Sequence, residues 1–270
     1  MSDNRPIGVF DSGVGGITVL RALHDLLPHE DLIYLGDTAR LPYGTKSADT
    51  VVRYATQAAN VLVARNVKLL VIACNTASAV ATQALAQHFA PVPVIGVVEP
   101  GAEAAITASR SGHIAVIATE GTVRGNAYPK AIQAHAADAK VTQASATVFV
   151  SLAEEGWVSS AATHEAARAY LAPLFAGDTH PDTLVLGCTH FPVLADAIRA
   201  QIPDDVTLVD SATTTAQAVA ATLTQEMSAD ADHTGSVHFL ATDGAERFAR
   251  VGKIFFGNEI DEAAIEVIDL

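Results

Sequence analysis

Each of the chain's two cysteines stands at the end of a short apolar run. Cys74 follows residues 69–73, and Cys188 follows residues 184–187. Continuous apolar runs of this length are typical of buried strands in parallel sheets. Residues 77–88, after Cys74, are rich in Ala, Gln and Leu and predict a helix. Ligands bind at such strand ends in α/β sheets, because the helix N-terminus offers free N–H groups and a partial positive charge.

A thiol in this position is suited to acid–base chemistry. Its ordinary pKa is about 8.5, and a helix N-terminus is expected to lower that pKa and so to increase the fraction of thiolate. Taken alone, Cys74 is better explained as a small buried apolar side chain, but a second cysteine in the same local setting favours a shared function. Two thiols on opposite sides of a carbon would remove a proton from one face and return one to the other, which inverts that centre.

Other polar residues lie close to the predicted strand ends. Asp11, Glu154 and His190 are candidates to tune the thiols or to accept protons from them. Neutral hydrogen-bond donors would hold carboxylates and stabilise the carbanion-like charge that deprotonation creates. The candidate donors are Ser12, Asn75, Thr76 and Thr189, and Thr119 ends a further predicted strand.

Two segments near these strand ends each allow two interpretations. Residues 36–44, which contain Pro42, Tyr43 and Gly44, form a predicted loop that either contacts a ligand or is only a turn. Residues 147–157 contain Glu154 in a predicted loop or helix start. That acidic side chain either serves the site or is simply solvated.

Three other kinds of site are weaker matches. The glycine-rich turn at residues 11–16, with Asp37 beyond it, resembles a dinucleotide-binding fingerprint, but Thr18 replaces the third glycine. Cys74, Cys188, His190 and Asp11 are acceptable zinc ligand types, although no closely spaced ligand pair is present. A pyridoxal enzyme would need a lysine, which these motifs lack. A non-catalytic module that binds an amino acid in a cleft also remains an alternative.

Composition limits the class of partner and the compartment. A net charge of −14 over 270 residues argues against a nucleic-acid or anionic-membrane surface. The N-terminus leads directly into a strand without a signal-peptide pattern, and no apolar run reaches the roughly 18 residues of a membrane helix. We therefore expect a cytoplasmic protein with reduced cysteines, no nucleic-acid partner and no membrane partner.

The order of apolar runs and amphipathic segments predicts an α/β fold of two similar, doubly wound domains with mostly parallel sheets. The expected first domain comprises residues 1–98 plus 210–270 and carries the first cysteine. The second comprises residues 99–209 and carries the other. We expect the active site in the cleft between the domains. The pattern also predicts one helix through Tyr128 and another that runs from the segment after the second cysteine to about Gln201.

Four motifs in this order closely resemble those of the glutamate racemase family, in the aspartate/glutamate racemase superfamily. They are Asp-Ser-Gly-Val-Gly-Gly, Pro-Tyr-Gly, Ala-Cys-Asn-Thr-Ala-Ser and Leu-Gly-Cys-Thr-His-Phe-Pro, and the likeness runs from about residue 7 to about residue 257. The resemblance implies a racemase that uses no cofactor and no metal. It implies glutamate as the small-molecule substrate and the supply of D-glutamate for peptidoglycan synthesis, and it leaves a homodimer open.

The resemblance also implies roles for individual residues. Cys74 would act on D-glutamate and Cys188 on L-glutamate, with Asp11 and His190 assisting the nearest thiol and Glu154 as a third auxiliary. His190 stands where aspartate racemases usually have Glu, which favours glutamate. The substrate-contacting residues would be Asp11, Ser12, Pro42, Tyr43, Gly44, Asn75, Thr76, Thr119, Thr189 and His190.

Overall fold

The computed structural model describes residues 2–177 and 179–270. Within these ranges, no helix combines the length and the apolar character needed to cross a membrane. The described residues form ten strands: β1 (Ile7–Asp11), β2 (Leu32–Gly36), β3 (Leu69–Ile72), β4 (Val94–Gly96), β5 (His113–Ala118), β6 (Lys140–Ser145), β7 (Thr183–Gly187), β8 (Thr207–Asp210), β9 (Val237–Ala241) and β10 (Ile265–Val267).

Eleven α-helices alternate with these strands along the described part of the chain. They are α1 (Ile17–Leu26), α2 (Ala48–Ala64), α3 (Asn75–His88), α4 (Val98–Ala108), α5 (Glu120–Gly125), α6 (Ala127–His135), α7 (Val148–Glu154), α8 (Ala161–Leu171), α9 (Ala195–Arg199), α10 (Ser211–Thr222) and α11 (Ala245–Phe256). Three short 3₁₀ turns complete the set, at Tyr43–Thr45, Phe191–Leu194 and Glu262–Ala264.

The strands form two sheets in which every neighbouring pair is parallel. The first sheet has the order β10-β9-β2-β1-β3-β4, and the second has the order β6-β5-β7-β8. The order of β1 to β4 in the first sheet is repeated by β5 to β8 in the second. The predicted fold of two similar doubly wound units with parallel sheets is therefore confirmed. By this correspondence β3 and β7 are equivalent strands, and each is followed by a cysteine.

Helices cover both faces of the first sheet, which explains why its central strands are apolar throughout. Every residue of β1, β2 and β3 is buried. On β1, Ile7 and Val9 pack in the core shared with α1 and α11, whereas Phe10 packs on the opposite face beneath α2 and α3. With both faces buried, polar side chains follow the strands only where they end, at the carboxyl edge of the sheet.

Two predicted helices are each divided. The segment through Tyr128 forms α5 and α6, which are separated by Asn126 in the left-handed region at φ 54°. Asn tolerates this conformation better than most residues. The segment after Cys188 begins as the 3₁₀ turn Phe191–Leu194, with Pro192 in its first turn, and only then becomes α9.

The C-terminal segment adds two strands to the first sheet. β9 pairs with β2, and β10 extends the edge beyond it. Helix α10 connects β8 of the second sheet to β9 of the first sheet, and it packs against α1 and α4. The domain boundaries expected from the sequence stay a prediction.

Candidate active site

The predicted site residues all line one cavity of about 260 Å³. Its walls come from the carboxyl ends of strands in both sheets. The predicted residues in the lining are Asp11, Ser12, Pro42, Tyr43, Gly44, Cys74, Asn75, Thr76, Thr119, Glu154, Cys188, Thr189 and His190. A larger cavity of about 590 Å³ lies between α1, α10 and the turn after β7, and none of the predicted residues lines it.

Cys74 occupies the N-cap position of α3. Its Sγ accepts from the Ala77 N–H at 3.4 Å, and its thiol lies 3.3 Å from Ser12 Oγ. Burial, and then the charge of Asp11, raise the pKa of Cys74 to about 12 despite these two contacts. The expectation that the helix N-terminus lowers this pKa is therefore wrong, because desolvation outweighs the helix. Cys74 is a thiol at neutral pH and so is poised to donate a proton.

Asp11 ends β1 beside Cys74 and is fixed by the turn that follows it. Its Oδ2 accepts from the N–H groups of Gly13 and Gly16 at 3.0 and 3.1 Å. Tyr34 approaches the same oxygen at 3.3 Å, while its hydroxyl donates to Gly13 O at 3.0 Å. Burial raises the pKa of Asp11 from its ordinary value, against these hydrogen bonds. The carboxyl group is thus held rigidly and can exchange a proton more readily than a solvated aspartate.

Cys188 has a different environment, built on a histidine. His190 Nδ1 lies 3.8 Å from Cys188 Sγ, and His190 Nε2 lies 3.0 Å from Glu154 Oε1. Burial acts to lower the pKa of His190, but the hydrogen bonds with Cys188 and Glu154 prevail and raise it to about 10. Hydrogen bonds from His190 and Arg247 outweigh burial and lower the pKa of Glu154. His190 is therefore a cation at neutral pH, and its Nδ1 faces the Cys188 sulfur.

The two thiols thus differ in a way that suits proton exchange with opposite faces of a bound molecule. Cys74 is buried beside an acid, whereas Cys188 faces a cation. Such an arrangement can hold one sulfur as an acid and the other as a base on either side of a bound molecule. The direction reverses once one sulfur has given its proton to the bound molecule and the other sulfur has taken a proton from it.

A cluster of three hydroxyl groups joins the two sheets on another wall of the cavity. Thr76 Oγ1 lies 3.0 Å from Thr119 Oγ1 and 3.4 Å from Thr122 Oγ1, and the last two oxygens are 3.1 Å apart. Thr122 is fully buried and was not a predicted site residue. Because each hydroxyl can rotate to donate or accept, the cluster can adapt to a carboxylate in the cavity.

The Asn75 side chain is held by the protein itself. Its Oδ1 accepts from Tyr128 at 2.8 Å, and its Nδ2 lies 3.5 Å from Ser211 Oγ. The predicted donor role of Asn75 therefore falls mainly to its backbone N–H, which lies at the start of α3 where N–H groups are free.

The loop that carries Tyr43 is anchored to the first sheet. The Tyr43 hydroxyl donates to Asp37 Oδ2, which also accepts from Arg40 Nε at 2.7 Å. The other carboxylate oxygen of Asp37 accepts from the Thr242 hydroxyl at 3.0 Å. Asp37 is fully buried and committed to these partners, so it is not placed to bind a ribose. The acidic residue that a dinucleotide-binding site would need is therefore not available beside the glycine-rich turn.

The loop also meets the second sheet at close range. A Cβ on Gly121, at the start of α5, would lie 2.7 Å from Gly44 O. This close backbone approach, which only glycine allows, brings Tyr43 and Gly44 to the wall formed by Thr119. Among residues 2–177 and 179–270, no three His, Cys, Asp or Glu side chains are grouped to hold a metal ion.

Sequence reasoning missed two residues that contact the predicted site residues without lining the cavity. Arg247 contacts Glu154 from a helix without any recognisable motif. Gly15 belongs to the glycine-rich turn, yet a Cβ there would overlap the His190 ring rather than a ligand. The spacing of glycines signals a close approach, but it does not reveal which group approaches.

The ion pair of His190 and Glu154 predicts a pH window for stability. The pKa of His190 rises from 6.5 to about 10 on folding, so its contribution is complete below pH 6.5 and is lost as the pH rises through 10. The pKa of Glu154 falls from 4.5, so its contribution is present above pH 4.5 and is lost as the pH falls below that value.

We therefore expect His190→Gln to lower the free energy of unfolding most between pH 4.5 and 6.5. Urea unfolding of both proteins at about pH 5.5, 8 and 10.5 measures the difference. The difference in the free energy of unfolding should shrink steadily as the pH rises from about 5.5 to about 10.5. A difference that stays constant or grows would contradict the raised pKa of His190.

Comparisons with known proteins agree with this geometry. The sequence profile of the Asp/Glu/hydantoin racemase family matches residues 14–219. The glutamate racemase of Geobacter metallireducens is 48% identical over 259 residues, which cover 96% of this chain and 95% of that protein.

Solved structures give the same result. The crystal structure of glutamate racemase from Francisella tularensis in complex with D-glutamate has a TM-score of 0.91 at 35% identity, covering 99% of this chain and 98% of that one. Glutamate racemase from Thermus thermophilus in complex with β-chloro-D-alanine has a TM-score of 0.89 at 40% identity, covering 100% and 99%. The chain therefore belongs to the glutamate racemase family of amino-acid isomerases.

Proposed function

We propose that this enzyme interconverts L-glutamate and D-glutamate by a two-base proton transfer at Cα, with Cys74 and Cys188 as the two bases and without a cofactor. The observation that carries the proposal is that both thiols line one cavity, each after an equivalent strand of the two sheets. Glutamate as substrate is supported by the relatives named for it and by the bound D-glutamate of the Francisella tularensis enzyme.

The contrast between the two thiols supports one direction of the mechanism. With L-glutamate bound, the Cys188 thiolate, stabilised by protonated His190, removes the Cα proton. The Cys74 thiol gives its proton to the opposite face, which yields D-glutamate. With D-glutamate bound the roles of the two cysteines reverse. Cys74 then removes the Cα proton of D-glutamate, assisted by the neighbouring Asp11. Glu154 keeps His190 in its protonated form.

Substrate binding must overcome the net charge of −14 by local attraction. The N-terminus of α3 supplies backbone N–H groups at Asn75 and Thr76 for a carboxylate. Hydroxyl groups of Ser12, Thr119 and Thr189 supply further donors along the cavity. The loop with Pro42, Tyr43 and Gly44 closes the remaining side. Donors directed at a carboxylate also stabilise the negative charge that develops on removal of the Cα proton.

The wider role follows the resemblance to the family. D-glutamate made by this enzyme would supply peptidoglycan synthesis, and we place the reaction in the cytoplasm. We also propose that residues 1–98 plus 210–270 and residues 99–209 act as the two domains that enclose the substrate.

The test is incubation of the purified protein with L-glutamate or L-aspartate separately, in heavy water with a chelator and no other additive. We expect the circular dichroism of L-glutamate to decay to zero and its Cα–H signal to disappear from the NMR spectrum, while L-aspartate stays unchanged. Binding of L-glutamate without exchange would instead indicate a binding module. Activity that appears only in a parallel incubation without the chelator would indicate a metal enzyme, and a visible absorption band of the purified protein would indicate a pyridoxal enzyme.

A further inference from the structure

Arg247 forms an ion pair between elements that belong to different sheets. It lies in α11, which packs on α1 and β10 beside the first sheet. Its Nη2 donates to Glu154 Oε2 at 2.7 Å, and Glu154 ends α7, which follows β6 of the second sheet. The contact therefore joins the two halves of the molecule at the edge of the cavity.

The Glu154 carboxylate is shared between two cations. Its Oε1 faces His190 Nε2 at 3.0 Å, while its Oε2 is taken by Arg247. His190 in turn presents Nδ1 to Cys188 Sγ at 3.8 Å. The four side chains thus form an unbroken series from solvent to the thiol. Arg247 itself does not line the cavity.

Burial distinguishes this ion pair from an ordinary surface pair. The side chains of Glu154 and His190 are only 15% and 12% exposed, whereas that of Arg247 is 45% exposed. Exposed pairs contribute little because water replaces either partner. A largely buried carboxylate oxygen that loses its donor is left without a replacement, so the carboxylate is expected to turn toward solvent or toward another donor.

We propose that Arg247 is a positioning residue for the racemisation described above: it fixes the Glu154 carboxylate so that Glu154 aligns His190 with Cys188. This inference rests on the proposed two-thiol function. A histidine that serves as an acid or base is commonly oriented by a carboxylate at its other nitrogen, and here that carboxylate is itself oriented by a cation from the other half of the molecule.

The pKa of His190 is a direct readout of this arrangement, because charged and titratable groups from several elements face His190 and Glu154. Arg247 faces Glu154 from α11, Cys188 faces His190 from the end of β7, and Asp11 approaches His190 from the end of β1. If Arg247 fixes the Glu154 carboxylate as proposed, its loss lets that carboxylate turn away from His190 and lengthens their hydrogen bond. The raised pKa of His190 is then expected to fall from about 10 toward its ordinary value.

The experiment compares Arg247→Gln with Arg250→Gln, a matched control on the same helix. Arg250 is also exposed, and within the described part of the chain its side chain makes no hydrogen bond or ion pair. We expect Arg247→Gln to lower kcat about tenfold in both directions and to change KM less than about twofold, because Arg247 does not reach the substrate. Arg250→Gln should retain wild-type kinetics, and Arg247→Lys should recover part of the lost kcat.

Two further measurements separate positioning from a general structural effect. NMR titration of labelled histidine, with the His190 signal assigned from its absence in His190→Gln, should show the fall in the pKa of His190. In the Glu154→Gln background, Arg247→Gln should cause little further loss of kcat, since Arg247 acts through Glu154. Thermal unfolding checks that each variant is folded.

Unchanged kcat in Arg247→Gln, equal losses in Arg250→Gln, or an additional tenfold loss in the Glu154→Gln background would each overturn the role of Arg247. An unchanged titration of His190 would do the same. Failure of the proposed function is distinguishable, because the wild-type protein would then not racemise glutamate, or Cys188→Ala would retain full activity. Loss in those two variants with normal Arg247→Gln would refute only the positioning role.

Discussion

Cys74→Ala and Cys188→Ala are each expected to lower racemisation by at least about a thousandfold, in keeping with the loss of a general acid or base. Both sulfur atoms are needed because inversion requires a proton to leave one face of Cα and another to arrive at the opposite face. Alanine is a mild replacement at both positions, since the two side chains are small and only 6% and 5% exposed. Circular dichroism of each glutamate enantiomer, followed over time, measures the loss.

The two variants should also differ from each other in heavy water. Cys74→Ala keeps Cys188 and is expected to exchange the Cα hydrogen of L-glutamate without inverting it. Cys188→Ala should do the same with D-glutamate. Each variant thus serves as the control for the other. Normal turnover in either one would end the two-base assignment, and exchange of the opposite enantiomers would reverse the roles of the two cysteines.

The position of the thiols could be predicted from the sequence because the signal is local. An apolar run that ends at a polar residue before a helix identifies the carboxyl end of a buried parallel strand. Cys74 and Cys188 both have this pattern, and the structure shows it in equivalent strands of two sheets with the same strand order. Parallel strands bring their carboxyl ends to one edge, so Asp11 could be placed in the same site from its own strand end.

The environment of those thiols could not be predicted in the same way. The raised pKa of Cys74 depends on burial beneath residues distant in the sequence, and burial outweighed the local helix effect. Arg247 and Glu154 are separated by 93 positions, and no spacing rule connects them. The hydroxyl of Thr122 likewise reaches Thr76 only because two units pack together. Local pattern thus predicts which residues reach the site, and packing decides their protonation and partners.

Gly15→Ala is expected to lower kcat about a hundredfold, because a small displacement of an acid or base group has an effect of this size. A Cβ on Gly15 would overlap Cε1 and Nδ1 of the His190 ring and would lie 2.8 Å from Thr189 Oγ1. The ring has little room to retreat, because Glu154 holds Nε2 and Phe255 packs edge-on at 5.1 Å between ring centroids. The added methyl group must therefore displace the His190 ring from its position between Cys188 and Glu154.

Gly125→Ala is the matched control for this substitution. Gly125 is also a glycine near a helix end, but a Cβ there meets nothing within 4 Å. We expect the control to keep wild-type kcat and KM, and both variants to show a folded circular dichroism spectrum. In Gly15→Ala the His190 NMR signal should also titrate at a lower pH, since the hydrogen bonds that raise its pKa are lengthened. If Gly15→Ala turns over glutamate within about twofold of wild type, the alignment of His190 with Cys188 is not required for racemisation, and the catalytic role assigned to His190 must be withdrawn.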